Sequence, residues 1–264
     1  MKIAVIGVGV VGQVLYKTAQ LKKVNVIGFD PSIPTFGPID EKVCRCDVAF
    51  VSVPTPTHRG EQDISALHDV MTRLRNLNYA GVICIRSTVL PGTCDMFKKI
   101  YELEIVHMPE FLTEAHAEND FLSQPIVWLS GEYAKTEIVA QVLEGMLPPL
   151  PEGRIFKHIT DFKTTEMQKY FANCFKALKV AFSNEIYDVC NKVGINYENV
   201  RKIVSEVHGV GANHTKVPGP DGRGFAGMCF TKDTEAFNTW AARNGVSSSI
   251  LVQAIKSNRA IRNK

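Results

Sequence analysis

Lys2-Ile3-Ala4-Val5-Ile6 runs directly into Gly7-Val8-Gly9-Val10-Val11-Gly12. A short β-branched run that breaks on glycine and passes into a helical pattern reads as strand, tight turn and helix. The first glycine of such a turn permits the bend, and the second lets backbone approach a pyrophosphate. The third lets the helix pack closely on the strand, with the helix N-terminus facing the phosphate charge. Glycine spacing alone is a weak signal, so the next strand matters. It ends Gly28-Phe29-Asp30, an acid where ribose hydroxyls would lie. A carboxylate there favours NAD and repels the extra phosphate of NADP, although a solvated loop aspartate would look the same.

Working outward, Lys2–Ile6, Asn25–Phe29, Val48–Ser52, Val82–Arg86, Glu104–His107 and Ile126–Ser130 read as strands separated by helical patterns. Several are apolar on both faces, as parallel strands covered by helices must be. The fold class expected is α/β, a doubly wound parallel sheet of Rossmann type. Val53-Pro54-Thr55-Pro56-Thr57 follows the third strand and could wall the adenosine side or be a plain turn.

Pro148-Pro149-Leu150-Pro151-Glu152-Gly153 interrupts this rhythm, and prolines and glycines so clustered punctuate a chain. The expected division is residues 1–155 as a cofactor domain and 156–264 as an all-α domain. The second part is dominated by one helix from Asp161 to Val193, with Met167, Phe171, Phe175, Leu178, Phe182, Ile186 and Val189 at helical spacing. At ~1.5 Å per residue it spans close to ~50 Å, a length suited to a dimer spine. Further helices are expected at Tyr197–Val207, Asp233–Asn244 and Ser248–Arg262. The basic tail Lys256, Arg259, Arg262 and Lys264 complements a helix C-terminus.

A net charge of +3 on 264 residues is too small to argue for nucleic acid or a membrane surface as partner. No apolar run approaches the length that spans a bilayer, and the start is too short for a signal peptide. The seven cysteines (44, 46, 84, 94, 174, 190 and 229) are odd in number and scattered through core-like runs. That usage suggests free thiols in a reducing cytoplasm. Cys44-x-Cys46 lacks a second ligand pair, so no metal site is expected.

Candidate chemistry gathers around Gly224-Phe225-Ala226-Gly227-Met228-Cys229-Phe230-Thr231-Lys232-Asp233. A cysteine on a glycine-rich turn, beside a lysine and ahead of a helix capped at Thr231, has features that favour a thiolate. It could equally be a structural thiol. Ser87-Thr88 and Pro109-Glu110-Phe111-Leu112-Thr113-Glu114 follow strands four and five, at the edge where open α/β sheets bind ligands. Glu110 and Glu114 sit at helical spacing, either sharing one face or decorating a helix N-terminus. Lys169 and Asn173 are also one turn apart, on a helix whose other faces look apolar.

Together these motifs resemble the UDP-glucose/GDP-mannose dehydrogenases over essentially the whole chain. The likeness runs through the glycine turn, Ser87-Thr88-Val89, Pro109 to Glu114 and Lys169-Tyr170-Phe171-Ala172-Asn173. It continues through Asn184-Glu185-Ile186-Tyr187-Asp188 and Val217-Pro218-Gly219-Pro220-Asp221-Gly222 into the cysteine motif. The resemblance implies NAD-dependent oxidation of a sugar-nucleotide C6 alcohol, twice, to a carboxylate, in a homodimer. It makes Cys229 the nucleophile, Lys169 and Asn173 the groups that stabilise and orient the reacting oxygen, and Asp233 a water-positioning or proton-accepting group. Glu110 becomes the acid/base in thioester hydrolysis, with Thr88 beside its water. Cofactor contacts are implied for Gly7, Gly9, Val10, Val11, Gly12, Asp30, Val53, Thr55, Thr57, Ser87, Glu114 and Lys232. Substrate contacts are implied for Phe111, Leu112, Gly224, Phe225 and Gly227.

The chain departs from the family pattern in places. Ala226 stands where glycine is usual, at a cost if that backbone needs positive φ, and Thr231 replaces a proline. An arginine expected about eight residues before Val217 is absent, with His208 and Gly209 nearby. Family members continue for another ~150 residues, a typical domain's worth, as a nucleotide-binding domain. Two other readings fit the same residues: an NAD-binding subunit without activity of its own, and a 3-hydroxyacid-type dehydrogenase.

Overall fold

The computed structural model describes residues 1–263, without the side chains of Glu114 and Met228; Lys264 of the basic tail lies outside the described residues. The chain opens with β1 Lys2–Ile6, α1 Val10–Leu21, β2 Asn25–Phe29, β3 Val48–Val51, β4 Thr57–His58, β5 Glu61–Gln62 and α2 Ser65–Asn76. It continues through β6 Val82–Ile85, α3 Thr93–Tyr101, β7 Ile105–His107, α4 Ala117–Leu122, β8 Ile126–Gly131, α5 Tyr133–Met146 and β9 Ile155–Ile159. Helices follow: α6 Phe162–Val193, α7 Tyr197–Ser205, α8 Gly227–Arg243 and α9 Ser249–Arg262. Residues 1–56 and 63–169 form one unit, and residues 57–62 and 170–264 form a second.

In the first unit the main sheet has, among the described residues, the order β2-β1-β3-β6-β7-β8-β9. The pairings from β2 to β7 are parallel, with Ile3 opposite Val26 and Val48, so the doubly wound sheet forms as expected. Alternate residues of each strand point to opposite faces. Ile3, Val5, Val48, Phe50, Val82, Cys84 and Val106 pack beneath Leu15 of α1 and Val139, Leu143 and Met146 of α5. Ala4, Ile6, Ala49, Val51, Ile83, Ile85 and Ile105 pack against Leu67, Met71 and Leu74 of α2 and Phe97 of α3. Both faces are therefore covered, which is why these strands read as continuous apolar runs.

Two features of the sheet differ from the sequence reading. β8 runs antiparallel to β7, and β9, beyond the proline-rich stretch, extends the sheet parallel to β8. Its sequence Ile-Phe-Lys-His-Ile is exposed or half-buried throughout, so it carries little of the apolar signal of a covered strand.

The second unit is built along α6, whose residues from Tyr170 onward belong to it. Small apolar side chains allow close packing there: Ala177, Ala181, Phe225 and Ala254 form one cluster, and Cys174, Leu251 and Ile255 another. A third, Cys190, Tyr197 and Val217, holds α7 against the helix end. The β4–β5 hairpin pairs Thr57 with Gln62, and Gln62 Nε2 donates to Tyr170 Oη at 2.9 Å. One face of α6 remains uncovered, with Phe171, Phe175, Phe182, Val189 and Val193 all exposed.

Candidate active site

Two glycines of the turn are required by its backbone. Gly7 has φ +82°, and a Cβ on Gly12 would lie 1.9 Å from the Gly7 carbonyl oxygen. No side chain there could coexist with the turn. Gly9, the residue before α1, is extended and offers no side-chain cap, and a Cβ on it would meet nothing. The first N–H groups of α1 thus face an uncrowded approach, which suits the oxygens of a diphosphate. An open cavity of about 670 Å³ borders this helix start, lined by Val10, Gln13, Val14 and Lys17 among others.

Asp30 sits beside the turn. Its Oδ2 accepts from Val8 N at 2.8 Å, and its Oδ1 accepts from Ser32 N at 3.0 Å and Ser32 Oγ at 2.6 Å. Burial pushes its pKa up, but the Ser32 hydroxyl and the Val8 and Ser32 amides outweigh that and leave it below the usual carboxylate range. A carboxylate so held keeps lone pairs for ribose hydroxyls. The neighbouring loops are tied together: Ser87 Oγ donates to Val53 O, and Thr55 Oγ1 donates to Thr88 O, each at 2.7 Å. The turn, the carboxylate and these loops fit the phosphates and ribose of NAD. Thr57 belongs to the second unit, where its buried Oγ1 has no hydrogen-bond partner among the described residues.

After β7 the chain presents Glu110. Lys169, on α6 but within the same unit, donates to the Glu110 carbonyl oxygen and lies 3.8 Å from its Oε2. The Lys169 ammonium also sits 5.3 Å from the centroid of the Phe111 ring. Glu110 Oε1 accepts from Leu112 N, a local turn that replaces the expected helix start. Glu110 and Glu114 do not share a helical face, because residues 108–113 are irregular. The competing acceptor at Glu110 and the Thr113 N–H bond to Asp120 Oδ2, at 2.8 Å, draw the backbone away from a helix. The expected cofactor contact of Glu114 falls on a side chain outside the described residues.

In the second unit, α8 begins at Gly227 rather than near Thr231. Cys229 therefore lies in the first turn of the helix, exposed, instead of on a turn ahead of it. Thr231 is an interior residue, not a cap, and its carbonyl accepts from Thr234 Oγ1 at 3.0 Å. Lys232 and Asp233 follow Cys229 at one helical turn and share its face. Asp233 is buried; its Oδ2 accepts from Asn173 Nδ2 at 2.6 Å and its Oδ1 from Lys232 Nζ at 2.5 Å. Ala226 is extended at φ −136°, so the family's glycine is not needed there for a positive φ.

The loop entering α8 is pinned by two asparagines. Asn184 Oδ1 accepts from Gly224 N at 3.1 Å, while Asn258 bonds both the N–H and the C=O of Phe225, at 2.7 and 2.9 Å. Asn258 was missed in the sequence, since a lone asparagine on an amphipathic helix gives no local signal. Arg223 was missed as well; it pairs with Asp188 at 2.8 Å and stacks over Tyr187. Arg86 reads as the end of a strand, yet it is a buried cation just past β6. Among the described residues, no cluster of three His, Cys, Asp or Glu side chains could hold a metal, and no helix is long and apolar enough to cross a membrane.

A doubly wound sheet with a glycine turn and an acid beside that turn defines a dinucleotide-binding domain of Rossmann type. Comparison with known proteins narrows this. Residues 32–145 match the NAD binding domain of the UDP-glucose/GDP-mannose dehydrogenase family, and residues 163–260 match its central domain. The chain belongs to that family and carries its NAD-binding domain. It is 32% identical over 220 residues to a UDP-glucose 6-dehydrogenase of Rickettsia typhi, covering 81% of this chain and 49% of the relative. It is 28% identical over 250 residues to the UDP-glucose 6-dehydrogenase TuaD of Bacillus subtilis, covering 91% and 52%. The chain thus spans about half the length of the curated relatives it matches. A UDP-glucose dehydrogenase structure from Pyrobaculum islandicum superposes with a TM-score of 0.83 at 21% identity, over 98% of this chain and 68% of that one. That likeness is one of fold.

Proposed function

We propose that this chain oxidises the C6 alcohol of a sugar nucleotide, UDP-glucose foremost, to the carboxylate in two steps. The observation that carries the reading is Cys229 exposed in the first turn of α8, with Lys232 and the buried Asp233 one turn along and Asn173 bonded to Asp233. NAD, when bound, supplies the hydride acceptor for both oxidations. In the first oxidation C6 loses a hydride and its hydroxyl proton passes to Asp233, giving the aldehyde; Lys169 stabilises negative charge on the reacting oxygen and Asn173 orients it. The Cys229 thiolate adds to the aldehyde carbon, forming an S–C bond and a thiohemiacetal; loss of hydride turns this into a thioester. Water then adds at the acyl carbon, Glu110 accepts its proton beside Thr88, and the S–C bond breaks to release the carboxylate and regenerate the thiolate. The covalent link keeps a reactive aldehyde from escaping between the two oxidations.

In this reading Asp30 and the glycine turn bind the cofactor, joined by Val53, Thr55, Ser87 and Lys232, and the pinned Gly224–Phe225 backbone meets the sugar. The exposed aromatic stripe of α6 pairs with a second copy as a homodimer. The cysteines form no disulfide among the described residues, which suits the cytoplasm, where thiols stay reduced. The test is NADH released per sugar nucleotide across UDP-glucose, GDP-mannose and their N-acetyl relatives. About two NADH per UDP-glucose are expected, as two hydride transfers require, and Cys229→Ser should stop at the aldehyde or lose turnover. No NADH from any member of the panel would end this reading.

A further inference from the structure

Arg86 is 4% exposed, and a guanidinium does not lose its charge in a protein. Its surroundings are nevertheless poor in partners. Nη1 donates to the Val11 carbonyl, in the first turn of α1, at 3.4 Å, and the group stacks 5.3 Å from the Phe121 ring centroid. Its Nε has no acceptor among the described residues. Burial works against the charge, and the carboxylate that favours it is Glu110. Cys84, on the same strand, is held neutral by burial, which pushes its pKa up to about 12. His107, one strand over, is neutral too, its pKa lowered to about 3 by burial and then by the Lys169 charge. Arg86 therefore sits beside the Lys169–Glu110 ion pair.

A buried cation with an unused donor carries a desolvation cost that its few contacts do not offset. We propose that Arg86 is a positioning residue that couples the dinucleotide-binding turn to Glu110. One end of the guanidinium anchors the Val11 carbonyl; Ile85 pairs with His107 on the adjacent strand, so Arg86 and Glu110 leave neighbouring strand ends and the charge acts on the carboxylate across them. Anything that shifts the first turn of α1 is then felt at Glu110, and the reverse. The role of Glu110 in this inference rests on the function proposed above, whereas the coupling itself does not require turnover.

The test is NADH affinity by calorimetry on the full chain, for wild type, Arg86→Lys, Arg86→Met, Glu110→Gln and the Arg86→Met/Glu110→Gln pair, with a thermal melt of each. Arg86→Met should weaken NADH about tenfold and Arg86→Lys a few fold, as loss of a buried charged hydrogen bond predicts. The effect of Glu110→Gln should differ at least about threefold between the wild-type and Arg86→Met backgrounds, the mark of interacting residues. With turnover in hand, Arg86→Met should lower kcat more than it raises the sugar-nucleotide KM, and Arg86→Lys should recover most of kcat. Wild-type NADH affinity in both variants overturns the anchor, and additive effects overturn the coupling. If Arg86→Met does not fold, an unchanged NADH affinity in Arg86→Lys suffices to reject the proposal. A wild type that binds NADH but oxidises no sugar nucleotide would sink the proposed function and leave the binding cycle decisive.

Discussion

Asn173 Nδ2 lies 2.6 Å from Asp233 Oδ2, joining α6 to α8 through two side chains that are 4% and 1% exposed. A buried carboxylate needs partners for both oxygens, and the second is met by Lys232 Nζ at 2.5 Å. Asp233→Ala would leave an amide donor and a half-buried ammonium without their acceptor. We expect a loss of about 2–4 kcal/mol in urea unfolding, and a smaller loss for Asp233→Asn, which keeps the shape and one acceptor. An Asp233→Ala protein as stable as wild type would show that the pair is not a structural tie.

The stripe on α6 leads to a second expectation. Phe171 is 70% exposed, Phe182 64% and Val193 61%, and the Phe171 and Phe175 rings stack 6.2 Å apart. Contiguous apolar surface of this kind marks an interaction face. Sedimentation equilibrium should find a dimer for the wild type, and Phe175→Lys/Phe182→Lys should shift it to monomer without changing the helical signal. A wild type monomeric at micromolar concentration would refute the pairing.

Sequence periodicity reveals what repeats locally. The strands β1, β3 and β6 were legible because both faces of each are covered, and α6 because its apolar residues recur at the helical period. β9 was not legible, since a strand with no buried residue leaves no apolar run. The start of α8 was misplaced because Gly227, at φ +76°, reads as a breaker, yet it opens the helix. The site was legible as residues rather than as contacts. Asp30, Lys169 and Cys229 could be singled out, but the hold of Asn258 on Phe225 and of Arg86 on Val11 spans 33 and 75 positions. No local pattern encodes such pairings.

His107 contributes to the pH response below neutrality. Its Nδ1 lies 2.8 Å from Thr165 Oγ1, which in turn lies 2.5 Å from Ser130 Oγ. Burial first, then the Lys169 charge, lowers its pKa from 6.5 to about 3. The unfolded chain therefore binds a proton here that the folded chain refuses, and stability rises with pH across that interval. The full interval corresponds to on the order of 5 kcal/mol. His107→Asn preserves an acceptor for Thr165 and removes the titration. Urea midpoints from pH 6.5 down to 4 should fall more steeply for wild type than for the variant; equal slopes would show that His107 is protonated in the fold.

Glu166 should act with the opposite sign. Its carboxylate accepts from Gly92 N and Cys94 N at the start of α3, the latter at 2.8 Å, contacts that favour the ionised form. It is also fully buried, and that burial outweighs those bonds, so its pKa stands above the usual value of 4.5. A carboxyl that holds its proton more tightly when folded contributes stability below its unfolded pKa, and this is lost as pH rises through the raised folded value. As pH rises from the ordinary glutamate value of 4.5, wild type should therefore lose stability relative to Glu166→Gln, whatever the absolute cost of placing an amide N–H against two backbone donors. The slope of the difference carries the answer. If wild type instead gains on the variant over that range, the helix N-terminus has won over burial, and Glu166 is an ionised cap of α3.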